Sequence, residues 1–167
     1  MHVCNWLPGL VPCSNWAEFE EYEKILYSIF SNDFIQTRPL YENKDVVIRK
    51  YPLRNGHEES FYHLTSKEYR SDMERQPDPK RCERIRWIRA FIENYQCDSS
   101  LCEECEGIKT WEEPYKMYRR VFILSEYEKY VVVLEKRDTY ILLVTAYYLD
   151  YPHSLRKLLA RYVSSIK

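Results

Sequence analysis

Histidine, arginine, threonine and tyrosine occur in short motifs that could act together on a phosphate ester. His63 follows two aromatic residues, and Arg81 and Arg84 lie about one helical turn apart in a basic stretch. Thr145 and Tyr147 come at the end of an apolar run. Cleavage of RNA without a metal requires a base, an acid and cations that stabilise the charge on phosphorus. These residue types can supply all three.

Each of these side chains also has an ordinary structural interpretation. The histidine could be packed among its aromatic neighbours, and the arginines could form a solvated helix face. Threonine and tyrosine are common strand residues. On a regular strand, Thr145 and Tyr147 share one face, with Tyr148 on the other. Arg86 and Arg89 are expected to point away from the site.

A cluster of cysteines indicates a metal site. A Cys-x2-Cys pair with a third cysteine upstream is typical of structural zinc, and the fourth ligand stays open. The cluster comprises Cys97, Cys102 and Cys105. Cys82 falls on the apolar stripe of a predicted helix, where burial as a small hydrophobe is expected. The sequence therefore predicts a structural zinc and no cofactor for catalysis.

The whole-chain properties favour one globular domain, 1–167. The 167 residues are 45% hydrophobic, which is sufficient for a single core. The net charge of −1 provides no global attraction for nucleic acid. RNA must therefore contact a local basic patch, such as residues 80–89. The N-terminus lacks a positive start and an apolar run, which predicts a cytoplasmic protein without membrane association.

Hydrophobic periodicity and turn signals predict an α+β fold. Helices are expected over 15–30, near 66–74, over 79–95 and from 152, with extended pieces at 46–48 and 61–64. Strands are expected at 108–111, 120–125, 130–135 and 140–148. The short connections between these strands indicate an antiparallel meander. The prediction is N-terminal helices followed by a four-stranded antiparallel sheet and a C-terminal helix.

Four segments together resemble phage and bacterial members of the barnase/EndoU/colicin/RelE-like RNase superfamily. They are Phe61-Tyr-His-Leu-Thr-Ser66, Arg81-Cys-Glu-Arg-Ile-Arg-Trp-Ile88, Tyr130-Val-Val-Val-Leu-Glu135 and Leu143-Val-Thr-Ala-Tyr-Tyr148. The resemblance covers roughly residues 60–165, which makes 1–59 an N-terminal helical extension. It implies helical material followed by a four-stranded antiparallel sheet. It also implies a metal-independent endoribonuclease that serves as a toxin or in phage–host conflict.

The resemblance also implies roles for individual residues. His63 matches the general base or acid, and the basic helix residue is Arg81 or Arg84, which would clamp the phosphate. Thr145 would orient the phosphate and Tyr147 would transfer a proton, or Tyr148 would replace Tyr147 if the strand is bulged. No second histidine stands in a comparable place.

The expected substrate is single-stranded RNA or an exposed tRNA loop, because in-line attack requires a splayed chain. A neutralising antitoxin or immunity protein is a further expected partner. Two other interpretations stay open. The same fold could be a non-catalytic module that binds RNA or a protein, with or without a stabilising zinc. It could also be an inhibitor of a target unrelated to RNA.

Overall fold

A computed structural model describes residues 4–98 and 106–167. The helices are α1 (Phe19–Ser31), α2 (Glu59–Thr65), α3 (Pro79–Glu83), α4 (Ile85–Glu93) and α5 (Pro152–Ser165). A 3-10 turn (Trp16–Glu18) precedes α1, and a π-helical turn (Asn32–Gln36) follows it. The strands are β1 (Leu40–Tyr41), β2 (Lys44–Val47), β3 (Ser66–Lys67), β4 (Gln76–Pro77), β5 (Ile108–Tyr115), β6 (Tyr118–Ser125), β7 (Tyr130–Lys136) and β8 (Ile141–Tyr148). The predicted α+β class is confirmed.

Six strands form one mixed sheet in the order β1-β2-β8-β7-β6-β5. Strands β5 to β8 make the predicted antiparallel meander. The prediction that the sheet has only four strands, all antiparallel, is wrong, because β2 pairs in parallel with β8 at Ile141 and Leu142. Since this pairing joins segments far apart in sequence, the local spacing of the runs could not indicate it.

Helices cover both faces of the sheet, which therefore has a hydrophobic core on each side. The first core joins α1 and α4 to the sheet through buried Leu26, Phe30, Ile88 and Phe91. The second core lies under α5, where Leu158 packs with the stacked rings of Trp111 and Phe122. Leu155, Leu159 and Tyr162 complete the predicted apolar face of α5.

A β-bulge in β8 changes which side chains share a face. Val133 pairs with Thr145 while Leu134 pairs with Leu143, so Val144 is an extra residue in β8. Regular alternation would place Tyr147 on the same face as Leu143, but the bulge puts the two side chains on opposite faces. Leu143 and Tyr148 pack in the first core, and Val144 and Tyr147 pack in the second.

Local structure differs from the prediction between residues 59 and 94. The expected extended piece at 61–64 is helical and lies within α2. The expected helix near 66–74 is absent, because β3 pairs with β4 as a short hairpin. The helix predicted over 79–95 begins as expected, with the Asp78 side chain accepting from Arg81 N. It is interrupted at Arg84, whose φ and ψ are −103° and 19°.

Gly107 lies where the chain enters β5 and opposes Asp98 in an isolated bridge. Its φ is +78°, and a Cβ atom there would lie 2.7 Å from backbone atoms of Asp98. Only glycine fits this position without strain. Among the described residues, no helix has the length and apolar character needed to cross a bilayer.

Candidate active site

The end of α2 explains how His63 is positioned. Thr65 Oγ1 donates to Phe61 O at 2.8 Å, and Ser66 Oγ donates to Tyr62 O at 2.5 Å. The first bond lies within the last turn of α2, and the second links the first residue of β3 back to the helix. His63 is thereby held in the last turn of α2, beside the part of β8 beyond its pairing with β2.

His63 and Thr145 are in direct contact across the fold. The distance between His63 Nε2 and Thr145 Oγ1 is 3.0 Å, and 82 positions in sequence separate the two residues. Both side chains are half-buried. The bulge at Val144 lies immediately before Thr145 and sets its orientation on the strand. Two of the residues predicted for the site are therefore brought together.

Two arginines converge on the backbone of His63. Arg81 Nη1 donates to His63 O at 3.0 Å, and Arg75 Nη2 donates to the same oxygen at 3.1 Å. Arg75 also donates to Ser66 Oγ at 3.0 Å and to Ser66 O at 2.5 Å. Because a guanidinium has five N–H donors, Arg81 keeps donors for a further acceptor. Arg81 is thus held beside the backbone of His63, and its role as a phosphate clamp stays a prediction.

The surroundings of His63 disfavour its protonated form. Burial is the largest cause, followed by the positive charges of Arg75, Arg81 and Arg49, and together they lower the pKa of His63 from 6.5 to about 4. The imidazole is therefore neutral at pH 7 and can accept a proton. Burial and the charge of Arg75 also lower the pKa of Arg81. Arginine nevertheless remains charged near neutral pH.

Tyr147 lies next to the guanidinium of Arg81. The Arg81 Cζ atom is 5.6 Å from the centroid of the Tyr147 ring, which is a cation–π distance. Burial raises the pKa of Tyr147, against the opposing effect of Arg161 and Arg81. The phenol therefore stays protonated and has an O–H that it can donate to a ligand. Among the described residues, nothing hydrogen-bonds its hydroxyl.

Arg84 occupies a different environment from Arg81. Its guanidinium lies 4.6 Å from the Tyr148 ring centroid and 5.0 Å from that of Trp87. It also donates to Lys80 O at 3.2 Å, while its buried Nε has no partner among the described residues. Arg84 thus packs the junction of α3 and α4 against β8. Unlike Arg81, it donates no hydrogen bond to His63 among the described contacts.

Arg89 is engaged elsewhere, as expected for a residue outside the site. It donates to Asp33 O at 2.7 Å and to Thr37 Oγ1 at 2.6 Å, and it pairs with Glu93. Arg86 is exposed on α4. Both side chains belong to the surface between α4 and the π-helical turn.

The predicted zinc site lies largely outside the described residues, since Cys102 and Cys105 fall between 98 and 106. Cys97 is buried, and its Sγ accepts from the Trp6 indole at 3.4 Å. No group of potential metal ligands occurs among the described residues. The zinc site stays a prediction. Cys82 is buried as expected and donates to Thr65 O at 3.2 Å.

Arg75 is the site residue that sequence reasoning missed. It directly follows the segment expected to be a helix near 66–74, within a stretch rich in charged residues. The signal that could have revealed it is the short β3–β4 hairpin, because folding back of this segment returns Arg75 to the end of α2.

Comparison with known proteins gives no match among family models, curated proteins or solved structures. The resemblance to the RNase superfamily therefore stays a prediction that rests on the four quoted motifs.

Proposed function

We propose that the protein is a metal-independent endoribonuclease that cleaves RNA by attack of a 2′-hydroxyl on the adjacent phosphate. The observation that carries the proposal is the contact between His63 Nε2 and Thr145 Oγ1 at 3.0 Å. Arg81, anchored on the carbonyl of the same histidine, supports it. A proton acceptor, a hydroxyl and a fixed cation within one group form a minimal set for this chemistry.

One neutral tautomer of His63 suits the reaction. If Nε2–H donates to Thr145 Oγ1, the Nδ1 lone pair remains to take the proton of the 2′-hydroxyl. Thr145 then keeps its own O–H proton, which can bond a non-bridging phosphate oxygen. The opposite tautomer would use the Thr145 proton on Nε2. The first arrangement therefore gives each residue the role predicted for it.

Arg81 and Tyr147 can stabilise the negative charge that forms on the phosphate in the transition state. Arg81 can direct its remaining N–H groups to the phosphate, where an arginine fork binds two oxygens. Tyr147, kept protonated by its raised pKa, can donate to the leaving oxygen or to the phosphate. The negative charge of a bound phosphate would partly offset the positive charges around His63. The pKa of His63 would then rise towards neutrality, where a general base is most effective.

The site favours RNA in a flexible, unpaired conformation. In-line attack requires the sugar and phosphate to rotate out of the stacked A-form geometry. Single-stranded RNA or an exposed tRNA loop meets this requirement. A toxin or phage–host conflict role, with a neutralising protein partner, belongs to the same proposal.

The deciding experiment measures the ends of the products. Purified protein is incubated with single-stranded RNA in excess chelator, and the products are examined for 2′,3′-cyclic phosphate. Cyclic ends should form with the wild type, and His63→Ala should reduce the rate by ~10²–10⁴-fold. His57→Ala, at a histidine that contacts Tyr27 and Glu23 instead, is the matched control and should retain activity. Intact RNA, or equal rates for the wild type and His63→Ala, would contradict the proposal.

One observation favours the alternative of a non-catalytic RNA-binding module on this fold. Arg75 and Arg81 both donate hydrogen bonds to the backbone carbonyl of His63, which leaves fewer N–H groups for a phosphate. Burial and the neighbouring arginines lower the pKa of His63 to about 4, which makes the imidazole a weak base. Such a module would bind RNA with the salt dependence of phosphate contacts and leave it intact. The assay for cyclic ends separates the two functions.

A further inference from the structure

A cavity of about 260 Å³ opens beside the candidate site, between α3, the end of β8 and the start of α5. Arg81 and Tyr147 line this cavity and also adjoin His63 and Thr145, so the two sites are contiguous. Its volume is slightly below the ~300–1,000 Å³ typical of sites for drug-sized ligands. A space of this size suits one nucleobase.

The polar wall of the cavity pairs fixed donors with an acceptor. Lys67 Nζ is 3.1 Å from Asp150 Oδ2, and Lys80 Nζ is 3.5 Å from Asp150 Oδ1. The Asp150 side chain remains 28% exposed, so its oxygens can accept further hydrogen bonds. A phosphate only accepts hydrogen bonds, so it could use the lysines but not the Asp150 carboxylate. The edge of a base, which presents donors beside acceptors, complements this wall.

The second carboxylate of the cavity is already engaged. Asp78 is buried, and it accepts from Tyr69 Oη at 2.8 Å and from Arg81 N at 3.1 Å. It fixes the start of α3 and with it the position of Arg81. Asp150 is therefore the carboxylate that can meet a ligand.

One tyrosine offers an open aromatic face at the cavity. Tyr151 is 59% exposed and stacks on His153, with ring centroids 5.6 Å apart and an interplanar angle of 18°. Tyr148 has its ring beneath Lys80 at 4.2 Å and Arg84 at 4.6 Å, so cations cover it. Bases stack readily on exposed aromatic rings, whatever their sequence. Tyr151 is thus the platform that a base would use.

We propose that this cavity binds the unpaired base of a nucleotide adjoining the scissile phosphate. The base stacks on Tyr151, and its edge hydrogen-bonds with Asp150 and Lys67. The inference rests on the proposed function, which places the phosphate at Arg81. It defines the substrate as RNA with an unpaired base beside the cleaved bond, because pairing would occupy the same edge.

The test uses fluorescence, so that binding is measured apart from cleavage. A set of short RNAs carries a 2′-deoxy sugar at the cleavage position, which prevents attack, and 2-aminopurine at one position in turn. The wild type should quench 2-aminopurine at one position adjoining the deoxy sugar. Tyr151→Leu should abolish this quenching and weaken binding roughly 5- to 150-fold, the effect of one lost base stack. Tyr140→Leu, which removes an exposed tyrosine before the other end of β8, is the matched control.

A second measurement tests the polar wall with cleavable RNAs that differ only at the quenched position. Asp150→Asn should change the order of kcat/KM among the four bases. Absence of quenching at every position, or the same quenching in Tyr151→Leu, would overturn the base site. Cleavage without Tyr151-dependent quenching would support the ribonuclease function and refute the base-binding cavity. Quenching without cleavage leaves the pocket and refutes the ribonuclease.

Discussion

Acidification should destabilise this protein in a way that depends on His63. In the fold, burial and three arginines lower the pKa of His63 from 6.5 to about 4. The unfolded chain therefore binds more protons than the folded chain between these two pH values. Stability is fully present above pH 6.5 and is lost as the pH falls towards 4, because folding then requires a proton to leave the imidazole.

The magnitude follows from the two pKa values. The gap between 6.5 and about 4 is about 2.5 pH units, and at about 1.36 kcal/mol per unit it corresponds to at most about 3.4 kcal/mol. His63 is only partly buried, and solvent screens the arginine charges. We therefore expect about 1–2 kcal/mol of this effect between pH 7.5 and pH 5.

The assay compares urea unfolding of the wild type and His63→Gln at pH 7.5 and pH 5. Glutamine does not titrate, and it can place its amide nitrogen near Thr145. The carboxylates titrate alike in both proteins and cancel in the difference. His153→Gln is the control and should follow the wild type. An NMR titration should show one histidine with a midpoint near 4 that disappears in His63→Gln. Parallel stability curves and a His63 midpoint near 6.5 would refute the reasoning.

The remaining predictions concern single positions. Thr145→Val should slow RNA cleavage by ~10²-fold, because it removes a hydroxyl that serves the phosphate, while Thr145→Ser keeps most of the rate. Arg81→Ala should lower kcat more than RNA affinity, since its partner is the charge of the transition state, and Arg86→Ala should change neither. Gly107→Ala should cost about 1–3 kcal/mol in the free energy of urea unfolding through backbone strain; an unchanged midpoint would contradict this. Protein purified under reducing conditions should carry one zinc by metal analysis, and Cys102→Ser should lose the metal and melt at a lower temperature.

Elements with strong local signals were predicted well. The meander of β5 to β8 follows from apolar runs with short connections, and the start of α3 follows from the cap at Asp78 and the proline after it. The apolar face of α5 follows from helical periodicity. Each of these signals is local in sequence, so no tertiary context was needed to interpret it.

The errors arise where tertiary partners decide the structure. The segment containing His63 reads as extended because it is aromatic-rich, yet it is helical and packs Phe61 and Leu64 into the first core. The parallel pairing of β2 depends on contacts across the whole chain. In the candidate site, the hydrogen-bond contact between His63 and Thr145 agrees with the prediction that these two residues lie together. Arg75 was missed because the β3–β4 hairpin that positions it overlaps a segment predicted as a helix.

The contact between His63 and Thr145 spans 82 positions, and this has a consequence during protein synthesis. The histidine and the arginines leave the ribosome long before β8 is made. A nascent or prematurely terminated chain therefore carries the cations and the imidazole without the threonine that completes the group. The group proposed to cleave RNA is therefore complete only after β8 has been synthesised and has reached α2.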